Sequence, residues 1–218
     1  MTRRIDPSLI PDIPHLNFER ALWQEGLFFI AGIDEAGRGC LAGPVAAAAV
    51  IFPRDQELLN KFSTIQDSKQ LSAEQRERER ITIENHSLAW GIGFASNLDI
   101  DQFGIVPATR LAIQRALNNL QIRPDHLLVD YLVLPNNPLP QTRLVKGDAR
   151  SMSIAAASIL AKTHRDAFMI EAAERYPAYL FDSNKGYGTS SHREAIQHYG
   201  ASPLHRMSFA PLRDFLER

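Results

Sequence analysis

Apolar residues in this chain fall first into short strand-length runs and then into helical stripes. Leu27 to Ile33 is an apolar run that stops at two adjacent carboxylates, Asp34 and Glu35. A glycine-rich loop carrying one arginine, Gly37-Arg38-Gly39, follows, and Val45 to Phe52 is a second uninterrupted apolar run. Such runs predict buried strands, and the short connection predicts antiparallel neighbours. Leu88 to Ala95 predicts a third strand, weakened by Gly91 and Gly93. His126 to Leu132 predicts a fourth, apolar except at Asp130, and Thr142 to Val145 a short fifth.

Helical signals lie between and after these runs. Asn17 to Glu25 predicts a short helix with Asn17 as N-cap and Gly26 beyond its end. Ser72 with Gln75 makes a capping box for a charged helix reaching about Asn85. Asp99 to Gly104 predicts a helical turn, and Pro107 opens a longer helix ending near Asn119. Its Ile113, Ala116, Leu117 and Leu120 form one apolar stripe. Ser151 to Arg175 is the longest helical pattern, rich in alanine and stopped before Pro177. Tyr179 to Thr189 reads as a loop, Ser190 to Tyr199 as a helix ended by Gly200, and Pro211 to Glu217 as a last helix. Antiparallel strands followed by strand–helix alternation predict an α/β fold with a mixed sheet. Residues 1–15 read as a loose arm and residues 16–218 as a single domain.

Composition narrows the function classes. The chain has 218 residues, 44% hydrophobic and 22% charged, with a formal net charge of −1. This is ordinary globular composition, and it lacks the overall basicity that would by itself announce nucleic acid. The single cysteine, Cys40, excludes an internal disulfide and a multi-cysteine zinc site, and fits a reducing, cytoplasmic setting. The N-terminus lacks a signal-peptide core, and no apolar run reaches membrane-spanning length, so no membrane association is expected.

The chemistry concentrates in carboxylates. Asp34 and Glu35 end a strand, and both can face one site only at or past the strand end, because neighbouring strand residues point oppositely. Asp130 interrupts an apolar strand, where an acid is rarely left without a partner. Asp166 lies on the helix face of Ala155, Ser158 and Lys162, where an ion pair with Lys162 is the simpler reading of that residue alone. Taken together, hard oxygen ligands from separate elements suit Mg2+ or Mn2+, and a pair of such ions is a recurrent device for cleaving phosphodiesters. Four small basic motifs accompany them: Gly37-Arg38-Gly39, Asp67-Ser68-Lys69, Lys146-Gly147-Asp148 and Lys185-Gly186-Tyr187-Gly188. They fit a phosphate-tracking surface on which Tyr187 offers a stacking plane. A P-loop fails, since Gly37 is followed by Arg38-Gly39 rather than Lys-Ser/Thr, and no HExxH spacing exists. His164, His192 and His205 are therefore expected to cap, pack or meet solvent rather than bind metal.

Gly32-Ile-Asp-Glu-Ala-Gly-Arg-Gly39 with Leu41-Ala-Gly-Pro44 resembles the opening signature of bacterial ribonuclease HII. Asp67-Ser-Lys69, Leu128-Val-Asp130, Lys146-Gly-Asp148, Ser153 to Lys162, Arg165-Asp166, Lys185-Gly-Tyr-Gly188 and Ser202-Pro-Leu-His-Arg206 follow in that family's order, so the resemblance spans about Ala31 to Phe209. It implies an RNase H-like fold: a central five-stranded mixed β-sheet flanked by helices, with a helical C-terminal extension over about 177–218. It implies an endonuclease that cuts the RNA strand of RNA–DNA hybrids and incises 5′ of single ribonucleotides in duplex DNA, leaving 3′-hydroxyl and 5′-phosphate. Asp34, Glu35, Asp130 and Asp166 resemble the four catalytic, metal-binding acids, with Mn2+ or Mg2+ as cofactor. Gly37, Arg38 and Gly39 resemble the reader of the ribose 2′-hydroxyl, and Tyr187 the sensor of the RNA–DNA junction. Ser68, Lys69 and Lys146 are the implied phosphate contacts. The implied partners are RNA–DNA hybrid and ribonucleotide-containing duplex DNA, bound by a monomer. Cys40 stands where the family often has proline, and Tyr131 where it usually has glycine.

Three rivals compete with this reading. Ribonuclease HIII shares the catalytic core but usually carries an N-terminal sheet domain, for which the 31 residues before Gly32 are too few. A binding module with a dead site has no reason to keep four clustered, mutually repelling acids. A small-molecule phosphatase does not need basic motifs spread along the chain.

Overall fold

The computed structural model describes residues 6, 10–54, 60–62 and 71–213. Five strands, β1 (Ile30–Ala36), β2 (Val45–Ile51), β3 (Ala89–Ala95), β4 (His126–Asp130) and β5 (Gln141–Leu144), form one mixed sheet in the order β3-β2-β1-β4-β5. β1 runs antiparallel to β2 and β2 to β3, while β4 lies parallel to β1 and β5 parallel to β4. This is the mixed, helix-flanked sheet the sequence predicts. β4 ends two residues earlier than its apolar run because Tyr131 adopts φ 54° and turns the chain out of the sheet.

Strand alternation separates two cores. Ile30, Ala48, Val50 and Leu128 face the long helix α5 (Met152–Arg175) and the shorter α1 (Asn17–Gln24) and α2 (Ala73–His86). Ala31, Ile33, Ala47, Ala49, Leu127 and Val129 face α4 (Ile105–Asn118) on the other side. A helix of 14 residues in α4 keeps Ala108, Ala112, Ile113, Ala116 and Leu117 buried, three of them from the predicted stripe, while its fourth member, Leu120, lies past the helix end and packs partly buried on the same core. Gly91 and Gly93, costly in a strand, have a packing reason. A Cβ at either would lie 2.3 or 2.2 Å from a backbone carbonyl of α4.

Helix ends follow their caps, with small corrections. Ser72 and Gln75 form the predicted capping box of α2. α3 (Asn97–Phe103) starts earlier than expected because Ser96 and Asp99 form a second box. Leu16, not Asn17, holds the N-cap position of α1, and it makes no side-chain cap bond. α4 begins two residues before Pro107, after Gly104. The predicted loop from Tyr179 to Thr189 contains the short α6 (Phe181–Asn184), and α7 (Ser190–Tyr199) has the predicted bounds. Ser68, Lys69 and most of the expected last helix lie outside the described residues.

α5 is the spine of the molecule. Its alanines, 155 to 157 and 161, are fully buried and let it lie close to β1. At its start the buried Glu19 accepts hydrogen bonds through Oε1 from Ser151 Oγ (2.6 Å), Ser153 Oγ (2.6 Å) and Ser153 N (3.0 Å). A carboxylate there complements the helix N-terminus. Gly32 is the point of closest approach, since a Cβ would sit 2.2 Å from the Ser153 backbone carbon. Gly32→Ala is therefore expected to lower stability by about 1–3 kcal/mol through overpacking, read as a drop in the urea midpoint. An unchanged midpoint would show that α5 can shift outward without cost.

Beyond α5, a third apolar cluster of Leu41, Ala42, Met169, Ala172, Tyr179, Phe181 and Ile196 seats the C-terminal extension against the glycine loop. No helix among the described residues is long and apolar enough to cross a membrane.

Candidate active site

The site forms where β1 outruns β4. The last paired positions of these parallel strands are Ile33 and Val129, so Asp34 and Asp130 follow side by side. β1 continues to Ala36 along β2 alone, which opens the β4 side at the level of Glu35. Asp34, Glu35 and Asp130 consequently line one cavity of about 370 Å³. Arg38, Arg76, Ser158, Lys162 and Tyr187 line it too. A second cleft of about 330 Å³, between α4 and residues 134–137, has Arg110 as its one charged lining residue among the described residues, so the chemistry is assigned to the carboxylate cavity.

Each acid is held differently. Asp34 is buried, and its carboxyl is pushed well above the usual range by burial first, then by the negative charge of Glu35, Asp130 and Asp148. A hydrogen bond from Ser158 works the other way. Asp34 Oδ1 also accepts from the amide of Glu35 at 2.7 Å. Glu35 Oε1 meets Arg38 Nη1 at 3.1 Å. Asp130 Oδ1 accepts from the amide of Gly147 at 2.7 Å, which ties the β4 end to the Lys146–Asp148 turn. Asp166 stands one helical turn beyond Lys162 and is paired with its ammonium at 2.8 Å. The structure thus brings Asp34, Glu35 and Asp130 together directly, whereas Asp166 reaches the cavity's edge through Lys162. Asp148, a buried acid that the sequence marks only within the Lys146-Gly147-Asp148 motif, adds to the field on Asp34.

The donor set fits a divalent cation. It consists of hard oxygens whose mutual repulsion a bound cation would relieve. Among the described residues no three acids, histidines or cysteines are drawn into a closed cage as they stand. Arg38 and Lys162 each pair with one of the carboxylates, Glu35 and Asp166.

Two buried arginines build the loop beside the acids. Arg206 donates to the carbonyls of Gly37 (2.7 Å), Arg38 (2.8 Å), Gly43 (3.0 Å) and Pro44 (3.1 Å). Arg165 donates to those of Pro44 (2.9 Å), Ala42 (3.1 Å) and Lys185 (2.9 Å). Both are fully buried. Burial pulls the Arg206 guanidinium down to about 10. Gly37 has φ 90°, and a Cβ on it would overlap Arg165 Nε at 1.9 Å, so this position requires glycine. Gly39 has open space around it instead.

Tyr187 lies over the cavity, partly exposed, with Lys162 Nζ 5.3 Å and Arg165 Cζ 5.8 Å from its ring centroid. Its hydroxyl hydrogen-bonds the buried Cys40 thiol, whose pKa burial raises. Cys40, adjacent to the glycine loop, therefore couples that loop to Tyr187. Lys146 is exposed at φ 54°, opening the turn that binds Asp130. Tyr131 is exposed, with the Arg143 guanidinium 5.9 Å from its ring centroid. Its φ of 54° explains why glycine suits that position more readily.

Residues 31–212 match the family model described as Ribonuclease HII. The chain is 50% identical over 200 residues to the ribonuclease HII of Dehalococcoides mccartyi, covering 91% of this chain and 94% of that one. The crystal structure of ribonuclease H2 from Pyrococcus horikoshii OT3 superposes with a TM-score of 0.71 at 26% identity, covering 87% of this chain and 98% of the other. The Mn2+ complex of Bst-RNase HIII shares the fold, with a TM-score of 0.65 at 19% identity over 93% of this chain and 74% of that one.

Proposed function

Since this chain belongs to the ribonuclease HII family, whose members are metal-dependent endoribonucleases acting on the RNA strand of RNA–DNA hybrids, we propose that it also incises duplex DNA 5′ of single embedded ribonucleotides, leaving 3′-hydroxyl and 5′-phosphate ends. The observation carrying this reading is the convergence of Asp34, Glu35 and Asp130 in one cavity, beside a glycine loop and an aromatic plane. Asp34, Glu35, Asp130 and Asp166 are the residues that would hold two divalent ions, Mg2+ or Mn2+. Ions so held would supply Lewis acidity for activating a water and for taking up charge on the leaving oxygen.

The chain's own groups orient the substrate. Arg206 engages the carbonyls of Gly37 and Arg38, which leaves the opposite edge of the loop to meet the ribose. A 2′-hydroxyl both donates and accepts, so a rigid backbone loop can distinguish it from deoxyribose. Tyr187 stacks at the junction between RNA and DNA. Lys146, with Ser68 and Lys69, contacts phosphates. Lys162 and Arg38 hold Asp166 and Glu35 in place beside the cavity. The enzyme works as a cytoplasmic monomer.

The test compares two substrates, a long RNA–DNA hybrid and a DNA duplex with one ribonucleotide. Tyr187→Ala is expected to lower kcat/KM on the single-ribonucleotide duplex by about tenfold or more, the order of one lost stacking contact, and to affect the long hybrid less. Equal losses on both would rule out junction sensing by Tyr187.

A further inference from the structure

Two buried histidines lie behind Tyr187, outside the carboxylate cavity. His192 and His205 are almost completely inaccessible, with 0% and 1% exposure, and their Nε2 atoms are 3.0 Å apart. Aromatic rings wall the pair: Tyr179 lies 5.0 Å from His205, and Phe181 meets His192 edge-on at 5.4 Å. Buried polar groups of this kind normally answer to a complete hydrogen-bond account.

That account fixes the protons. The Ser202 amide, which can only donate, lies 2.8 Å from His205 Nδ1. Nδ1 is therefore an acceptor, and a neutral ring carries its proton on Nε2. At the other end, His192 Nδ1 lies 2.9 Å from the Tyr187 carbonyl oxygen, which can only accept. Nδ1 of His192 is therefore protonated and its Nε2 is an acceptor. The two ends, argued separately, demand the same central bond, from His205 Nε2–H to His192 Nε2. Burial keeps both rings below the ordinary histidine range, His205 at about 4, so both are neutral at pH 7.

The chain of bonds ends on the backbone of Tyr187, the one aromatic among the described residues lining the cavity. Tyr187 is otherwise held by its amide on Asn184 O (2.9 Å), a contact from the Thr189 amide (2.8 Å), and its hydroxyl on Cys40. We infer that His192 and His205 are positioning residues: a proton-ordered imidazole pair, anchored on the Ser202 amide, that sets the Tyr187 backbone and thereby the plane offered to the nucleic acid. This rests on the reading of Tyr187 as a substrate contact.

The proton order is tested on the intact chain without any variant. Nitrogen-15 NMR of the imidazoles at neutral pH is expected to show His192 as the Nδ1–H tautomer and His205 as the Nε2–H tautomer. The opposite tautomer at either ring overturns the inference. Cleavage of the single-ribonucleotide duplex then tests the role. His192→Phe removes the donor and is expected to lower kcat/KM by about tenfold to a hundredfold, as small displacements of positioning groups do. His192→Asn, whose amide can replace Nδ1–H, should restore most of that loss. In a Tyr187→Ala background His192→Phe should cost little more. Equal losses in both backgrounds, or no loss in the first, would overturn the positioning role. Should Tyr187→Ala itself leave cleavage unchanged, the parent reading falls and takes the positioning role with it, while the tautomers still decide the proton order.

Discussion

Asp34→Asn is expected to abolish cleavage and, without divalent metal, to make the protein more stable. The loss should be on the order of 10⁴-fold in kcat, the scale seen when a single essential group is removed from a hydrolase. The gain in stability follows from the environment of the carboxyl. Burial and the charges of Glu35, Asp130 and Asp148 raise its pKa well above 3.8, so the charged form is disfavoured in the folded state. A group with a raised folded pKa supports folding below its unfolded pKa, and that support is lost as pH rises through the folded value. The neutral amide removes this pH dependence while keeping a group able to meet Ser158. Thermal unfolding at neutral pH should show the variant above the wild type in EDTA. Added Mg2+ or Mn2+ should raise the wild type more than the variant, because the variant lacks one of the carboxylates proposed to hold the cations. A variant less stable than wild type in EDTA would mean that Asp34 is not under charge strain.

Arg206→Ala carries the second large effect, this time on the fold around the site. It removes one donor from each of four backbone carbonyls and leaves those of Arg38 and Gly43 without their arginine, while Pro44 keeps Arg165 and Gly37 keeps the Cys40 amide. Losing partners for several buried acceptors costs roughly 1–3 kcal/mol each where water does not replace them, so a total of at least about 3 kcal/mol is expected. For a chain of this size that is a Tm drop of roughly 10 °C. Arg206→Lys should recover little, because a compact ammonium cannot reproduce a planar fork of donors. Cleavage should fall with it even well below the new Tm, since the glycine loop loses its floor. A lysine variant with wild-type stability and activity would contradict this role.

These two residues also mark what could and could not be read in advance. Asp34 and Glu35 stand out because two acids terminate an apolar run, a local pattern that strand physics makes conspicuous. Asp130 stands out for the same reason, and the sheet register then sets it beside Asp34. The capping box of Ser72 and Gln75 was legible because its chemistry spans three residues. Arg206 and Arg165 gave no such signal. Their partners lie 20 to 169 positions away and are carbonyls, which every residue carries. For histidines 192 and 205 the sequence offers capping, packing or solvent; the structure buries them against each other, a contact that depends on how the C-terminal extension folds back. The bound of β4 was missed because apolarity continues through Tyr131 to Val133, while the backbone leaves the sheet at φ 54°. Asp166 was read as either a ligand or the partner of Lys162. The structure shows the ion pair, and its proposed service to a cation requires Lys162 to yield.

We propose that the Asp34 cavity is a cation-dependent cleavage site directed by one ribose. The most direct measurement is product mapping with the wild-type chain on a DNA duplex containing a single ribonucleotide, with Mn2+ or Mg2+ and with EDTA. One nick, 5′ of the ribonucleotide, with 3′-hydroxyl and 5′-phosphate ends and only with metal, is the predicted result. No nick, a nick on the 3′ side, or cleavage that persists in EDTA would contradict it.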